Sequence, residues 1–455
     1  MPRVRTGGKS LPVRIFYRPG SVIFSMGLAL AGPMALMPVP AAAQAAQLKP
    51  NDQSLGDFYR ARGGAPLWLA RQSGSAAQLL LQRLDSAHVD GLDPRKYHAP
   101  ELDRALQAAW GGKPKAVDRA DRMLSQAFAD YVNDLRRVPN SETYFVDREL
   151  APHPRNARVW LDQAAAAPSL EKFITDMGWM NPLYAQLRQA LADRSYGDDH
   201  QRRLLWLNLQ RARTLPGGQG RYIVVNAAAQ RLYAYENGRV ADSMNVVVGK
   251  PIYPTPMMAA LIRFANLNPY WYVPPDLAAE RIAPNVVKMG LGYLKSRGYE
   301  VVSDFSDNPQ ILDPATVDWK AVADHKAEVW VRQLPGPHNS MGRMKFMFPN
   351  REGVYLHDTP EKELLSEASR LFSGGCVRLE DASRLGEWLF GRHLEWQGAG
   401  TEERVDLDRP VPVYITYLTA VPDNGTVAFY DDIYKRDAAR LAGEPVGAGS
   451  AAAAP

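Results

Sequence analysis

The sequence predicts an α+β protein: an N-terminal all-helical domain, then a β-rich domain interrupted by a helical and loop insertion. Three observations carry this. Apolar residues recur at helical spacing between about Gln44 and Pro216, the period changes from 3.6 to 2 at Arg221, and the alternation is broken between Pro275 and about Met341. At 455 residues, 46% apolar and 23% charged, the chain can hold two or three domains with sizeable cores, and its composition excludes disorder and collagen.

Residues 1–43 read as a secretory leader, with a basic start, an apolar stretch from Ser21 to Met37, and small residues at Ala41 and Ala43. Cleavage is expected after Ala43. A retained anchor is the alternative, but Pro33 and Pro38 break the apolar stretch. Arg3, Arg5, Lys9, Arg14 and Arg18 lie here with no acidic residue, so the remainder has 49 basic side chains against the chain's 49 acidic ones. The overall charge of +5 therefore gives no reason to expect a nucleic-acid partner.

In residues 44–216 the spacing predicts helices over Ser75–Leu84, Asp118–Val138, Tyr184–Leu191 and His200–Thr214, with a turn at Gly91-Leu92-Asp93-Pro94 and a helix end at Pro139-Asn140. No catalytic or ligand spacing occurs in them, which suits a scaffold or interaction domain. The β-rich domain, 217–437, opens with strands at Tyr222–Asn226, Arg231–Tyr235 and Met244–Val248, the second followed by an Asn237-Gly238 hairpin signal. Arg263–Asn268 is a further strand, and Pro269–Pro275 an aromatic loop. In the insertion, 275–341, helical and loop text covers Leu277–Ile282, Pro284–Leu294 and Asp313–His325. Strands resume at Lys345–Phe348 and Gly353–His357, a helix spans Asp381–Phe390 and stops at Gly391, and late strands fall at Val411–Leu418 and Thr426–Tyr430. An Ala/Gly-rich disordered tail is expected over 438–455.

An exported chain with one cysteine, Cys376, forms no internal disulfide. The eight histidines show no H-x-H or H-E-x-x-H pattern, so neither metal nor cofactor is expected. Ser169-Leu170-Glu171-Lys172 and Ser306-Asp307-Asn308 imitate two serine-enzyme signatures, but the third is missing and Ser169 reads more simply as a helix cap. The better constellation is Cys376 with His357. Alternation along Gly353–His357 puts Tyr355 and His357 on one face and Val354 and Leu356 on the other. In Ser373-Gly374-Gly375-Cys376-Val377-Arg378 the thiol follows two glycines, where backbone N–H groups can meet a developing oxyanion. His357, Arg378 and the N-terminus of the Asp381 helix are expected to favour the thiolate.

His357-Asp358-Thr359-Pro360 followed by Ser373–Arg378 resembles the YkuD-type L,D-transpeptidases of bacterial cell walls, in the branch with Ser-x-Gly-Cys-x-Arg. Tyr222–Val225, Val246–Lys250 with Thr255-Pro256, Asn268–Trp271, Gln333–Gly336, Asp431–Tyr434 and, upstream, Asp90–Pro94 with Tyr97 are similar to that branch too. The resemblance implies a periplasmic enzyme whose Cys376 attacks the carbonyl before the terminal D-alanine of a donor tetrapeptide. The amine of an acceptor stem then resolves the thioester into a 3→3 cross-link. It implies His357 as general base and acid, an oxyanion held near Gly375 and Cys376, a pocket lined by Tyr355, and Arg378 and Ser373 orienting the Gly374-Gly375 loop or a substrate carboxylate. It further implies carbapenem acylation of the thiol, a substrate-capping insertion, and cell-wall synthesis partners for the helical domain. The family's usual peptidoglycan-binding repeat is missing between Leu191 and Leu204. Hydrolysis to tripeptide by the same pair, and a non-catalytic wall-binding scaffold, are the alternatives; the acceptor could also be a lipoprotein or a D-amino acid.

Overall fold

The structure, a computed structural model, describes Pro50–Gly443 apart from Gln219, Asp307, Gln397, Ala399–Thr401 and Asn424. The expected leader, its cleavage site and residues 444–455 lie outside the described residues. No helix among the described residues is long and apolar enough to cross a membrane.

The first half is helical: α1 Pro50–Ala61, α2 Ala76–Asp85, α3 Ala99–Ala109, α4 Pro114–Leu135, α5 Ala157–Ala166, α6 Leu170–Thr175, α7 Pro182–Ala192 and α8 Asp199–Ala212. Side chains start several of them. Asn156, Asn181 and Asp198 accept from backbone N–H groups of α5, α7 and α8, and Ser169 caps α6 by accepting from Lys172 N–H, so the serine signature there is a cap. Asp90, noted from sequence only as a point of resemblance just before the Gly91–Pro94 turn, is fully buried: it accepts from Tyr131 Oη (2.8 Å), Tyr184 Oη (2.7 Å) and Arg188 Nε (2.9 Å), tying α4 and α7 to the turn. Only residues 193–198 join α7 to α8, leaving no room for a further module there.

A short strand, β1 Tyr144–Phe145, leaves the helices to pair in parallel with the β-rich domain. That domain runs β2 Arg221–Asn226, β3 Arg231–Glu236, β4 Arg239–Gly249 and β5 Met258–Leu267; after the insertion come β10 Met344–Met347, β11 Leu356–His357, β12 Leu371–Ser373, β13 Val377–Leu379, α13 Ala382–Phe390 and β14 Glu403–Thr416. Asn237 (φ 52°) and Gly238 (φ 74°) make the β3–β4 turn, both in the left-handed region that a tight hairpin requires. The order β5-β10-β11-β13-β4-β3-β2-β14 closes into a ring, because β14 pairs with β2 on one side and β5 on the other.

Alternation in β2 shows how the two halves join. Ile223 and Val225 face the core inside the ring, whereas Tyr222 and Val224 face the helical core, so the strand is apolar on both sides. Arg211 of α8, also buried at this junction, pairs with Glu142 (2.7 Å) and Asp437 and donates to the Tyr417 carbonyl.

The insertion departs from the helical and loop text expected. With the strand that leads into it, it contains a four-stranded sheet: β6 Trp271–Val273 (inside the presumed aromatic loop), β7 Tyr299–Val302, β8 Ile311–Leu312 and β9 Trp330–Gln333, in the order β6-β9-β7-β8. Against it pack α9 Pro275–Leu277, a π-turn at 278–282, α10 Ala283–Met289, α11 Gly292–Arg297 and α12 Trp319–Ala323, around a core of their own. After β14 follow a hairpin, β15 Ala420–Asp423 with β16 Thr426–Phe429, and α14 Arg436–Leu441. The last helix corrects the tail expected from 438: Asp437 is buried against Arg211 and Thr419, which anchors the segment.

Candidate active site

Register brings the predicted residues together. In the parallel β11–β13 pair Leu356 lies opposite Val377 and His357 opposite Arg378. Leu356 and Val377 point into the ring core, so Tyr355, His357, Cys376 and Arg378 share the opposite face. The expected split of Tyr355 and His357 from Val354 and Leu356 is observed, although only Leu356–His357 has strand geometry. The Tyr355 and His357 rings lie 5.8 Å apart, and Tyr355 packs against the cores of both ring and cap.

Ser373 holds the loop that carries the thiol. Its Oγ donates to the Cys376 carbonyl (2.6 Å) and accepts from Gly375 N–H (3.1 Å). Gly375 has φ +115°, where a side chain would be strained. Gly374 lies under the cap: a Cβ there would stand 3.3 Å from Leu277 Cδ1. The half-buried Cys376 thiol donates to the Gly353 carbonyl (3.6 Å), and Tyr355 beside it favours the anion. His357 Nδ1 bonds the Asp358 carbonyl (2.6 Å), so a neutral ring carries its proton there and leaves Nε2 to act as a base. Arg378 is paired with Glu361, which a substrate carboxylate would have to displace.

The electrostatics correct one expectation. Burial pushes the Cys376 thiol up to about 11; Tyr355 and Arg378 favour the anion without overcoming that penalty. Burial, then Arg378, Lys345 and Lys362, push His357 down to about 3. The N-terminus of α13 is set apart from the thiol by β13, and its positive end is met by Asp381, which caps the helix by accepting from Arg384 N–H. The resting pair is a neutral thiol and a neutral imidazole.

Sequence reading missed the support beneath the loop. Thr255, Tyr434 and Arg436 bond to it or to one another's backbone, but they are distant in the chain, and Thr255-Pro256 and Tyr434 registered only as points of resemblance. A cavity of about 480 Å³ lies beside the site, lined by Arg343, Asp358, Lys362, Glu380 and Asp381 among others; it includes neither Cys376 nor His357. Among the described residues no cluster of His, Cys, Asp or Glu could hold a metal ion.

Fold and site together define a two-part protein, in which a helical scaffold docks on a closed β domain that presents a thiol and an imidazole under a cap. Residues 220–415 match the L,D-transpeptidase catalytic domain, YkuD, and residues 53–191 match the Scaffold domain. The chain belongs to the YkuD-type L,D-transpeptidases, and its catalytic domain is of acyltransferase type. It is 28% identical over 396 residues to a Haemophilus influenzae protein provisionally named an L,D-transpeptidase, a match spanning 84% of this chain and 78% of that one. An L,D-transpeptidase from Mycobacterium smegmatis is 13% identical over 45% of this chain and 63% of its own (TM-score 0.22). An L,D-transpeptidase solved in complex with imipenem is 15% identical over 44% and 60% (TM-score 0.21).

Proposed function

We propose that the chain is a cell-wall L,D-transpeptidase that forms 3→3 peptidoglycan cross-links through a thioester on Cys376. The observation that carries this reading is the β11–β13 register, which puts His357 and, one residue before β13, Cys376 on the face opposite the ring core. As Cys376 Sγ attacks the carbonyl before the donor's terminal D-alanine, its proton passes to His357 Nε2, and the oxyanion lies against the Cys376 N–H. Collapse breaks the C–N bond, and His357 returns the proton to the leaving amine of D-alanine. The acceptor amine then attacks the thioester and gives its proton to His357, and the thiol is regenerated. Because the thiol is neutral at rest, proton transfer accompanies attack instead of preceding it.

The enzyme works in the periplasm after cleavage at Ala43, with carbapenems acylating the same thiol and the cap closing over bound stems. N-terminal sequencing of the envelope-associated protein should begin at Gln44; a chain still starting at Met1 overturns the leader. Mass spectrometry after incubation with disaccharide tetrapeptide tests the reaction. A product lighter than two substrates by one D-alanine, absent with Cys376→Ala, is expected. Tripeptide alone would make the chain a carboxypeptidase, and no product would leave the wall-binding scaffold.

A further inference from the structure

We infer that Thr255 is a positioning residue for the oxyanion site, aiming the Cys376 N–H by holding the other end of the same peptide plane; this rests on the thioester reading above. Thr255 is fully buried on the connection between β4 and β5. Its hydroxyl donates to the Gly375 carbonyl (2.8 Å) and accepts from Gly249 N–H (2.9 Å). In a trans peptide the C=O and the following N–H point to opposite sides, so fixing the Gly375 carbonyl fixes the direction of the Cys376 N–H. Among the described residues no protein group accepts from that N–H, whereas Gly375 N–H is taken by Ser373 and Val377 N–H by the Tyr355 carbonyl. Cys376 N–H is thus the loop donor left open beside the thiol.

Thr255 is itself held at every polar atom. Its N–H donates to Tyr434 Oη (3.4 Å), its carbonyl accepts from Arg436 Nη2 (3.0 Å), and Tyr434 Oη donates to the Gly249 carbonyl (2.7 Å). Gly249 is required there, since a Cβ would stand 1.9 Å from the Tyr253 carbonyl. The segment that supplies Tyr434 and Arg436 is anchored through Asp437 to Arg211 in the scaffold. A flexible double-glycine turn is therefore held by two hydroxyls: Ser373 ties it from within, and Thr255, clamped between β4 and the C-terminal segment, fixes the Gly375 carbonyl.

The test compares two reactions of the only thiol in the full chain. Acylation by imipenem creates an oxyanion; alkylation by iodoacetamide does not. Thr255→Val, which keeps the shape and removes the hydroxyl, should slow acylation about 10- to 100-fold through the rate constant and not the binding constant, less than the roughly 10²- to 10³-fold for outright loss of an oxyanion donor, because the Cys376 N–H is misaimed and not removed. Alkylation should stay within about twofold. Thr255→Ser should restore acylation. Equal losses in both reactions, or no loss in either, would overturn the assignment. A wild-type thiol that is alkylated but never acylated would remove the thioester reading and this one together, which distinguishes that failure from a failure of Thr255 alone.

Discussion

The resting charge state of Cys376 can be read directly by titrating its reactivity. Burial moves the thiol from an ordinary value of 9.0 to about 11, so at pH 8 the thiolate fraction falls from about one in ten to about one in a thousand, a loss of about a hundredfold. Iodoacetamide alkylation, followed by intact mass from pH 6 to 11.5, should rise about tenfold per pH unit through pH 9 and level only near 11. Because no other cysteine exists, the signal is unambiguous. The sign has a stability counterpart: a folded value above the unfolded one means stability is fully present below pH 9 and is lost as pH rises through 11. A rate already level by pH 7–8 would refute the reasoning, since it would mean a preformed thiolate–imidazolium pair.

Other consequences are separable from this one. His357→Asn should lower acylation by about 10² to 10⁴, as loss of a general base does, with imipenem adduct formation as the readout. His357 is neutral when folded and titrates near 6.5 when unfolded, so it weakens the fold as pH falls from 6.5 towards 3, by up to about 1.4 kcal/mol per pH unit. Urea melts of wild type and His357→Asn should diverge in that window. Glu361→Gln removes the partner of Arg378, and the less screened guanidinium should raise alkylation at pH 8 by a few-fold. Arg211→Met should cost about 3–5 kcal/mol by chemical denaturation, because Glu142 and Asp437 lose their buried cation.

Much of the fold was legible because strand and helix periods are local. Tyr-Ile-Val-Val in β2 and the Asn237-Gly238 turn could be read directly, and so could the face shared by Tyr355 and His357. The cap sheet was not, because its strands are two to four residues long and carry charges such as Glu300 and Arg332 on a pair that meets only in space. The thiol and its glycines stood out as motifs, but their electrostatics did not. Arg378 is near Cys376 in sequence, yet desolvation, which depends on the packed surroundings, outweighs it. Thr255 stayed hidden for a related reason: its hydrogen bond to Gly375 spans 120 positions, and a lone threonine in a proline-rich connection has no pattern of its own.

Trapping the acyl-enzyme tests the central claim most directly. The full chain mixed with disaccharide tetrapeptide, quenched in acid and digested, should show the peptide containing Cys376 heavier by the donor less D-alanine, a mass that hydroxylamine removes. Cross-linked product formed equally well by Cys376→Ala, with no adduct on the wild-type thiol, would contradict the account.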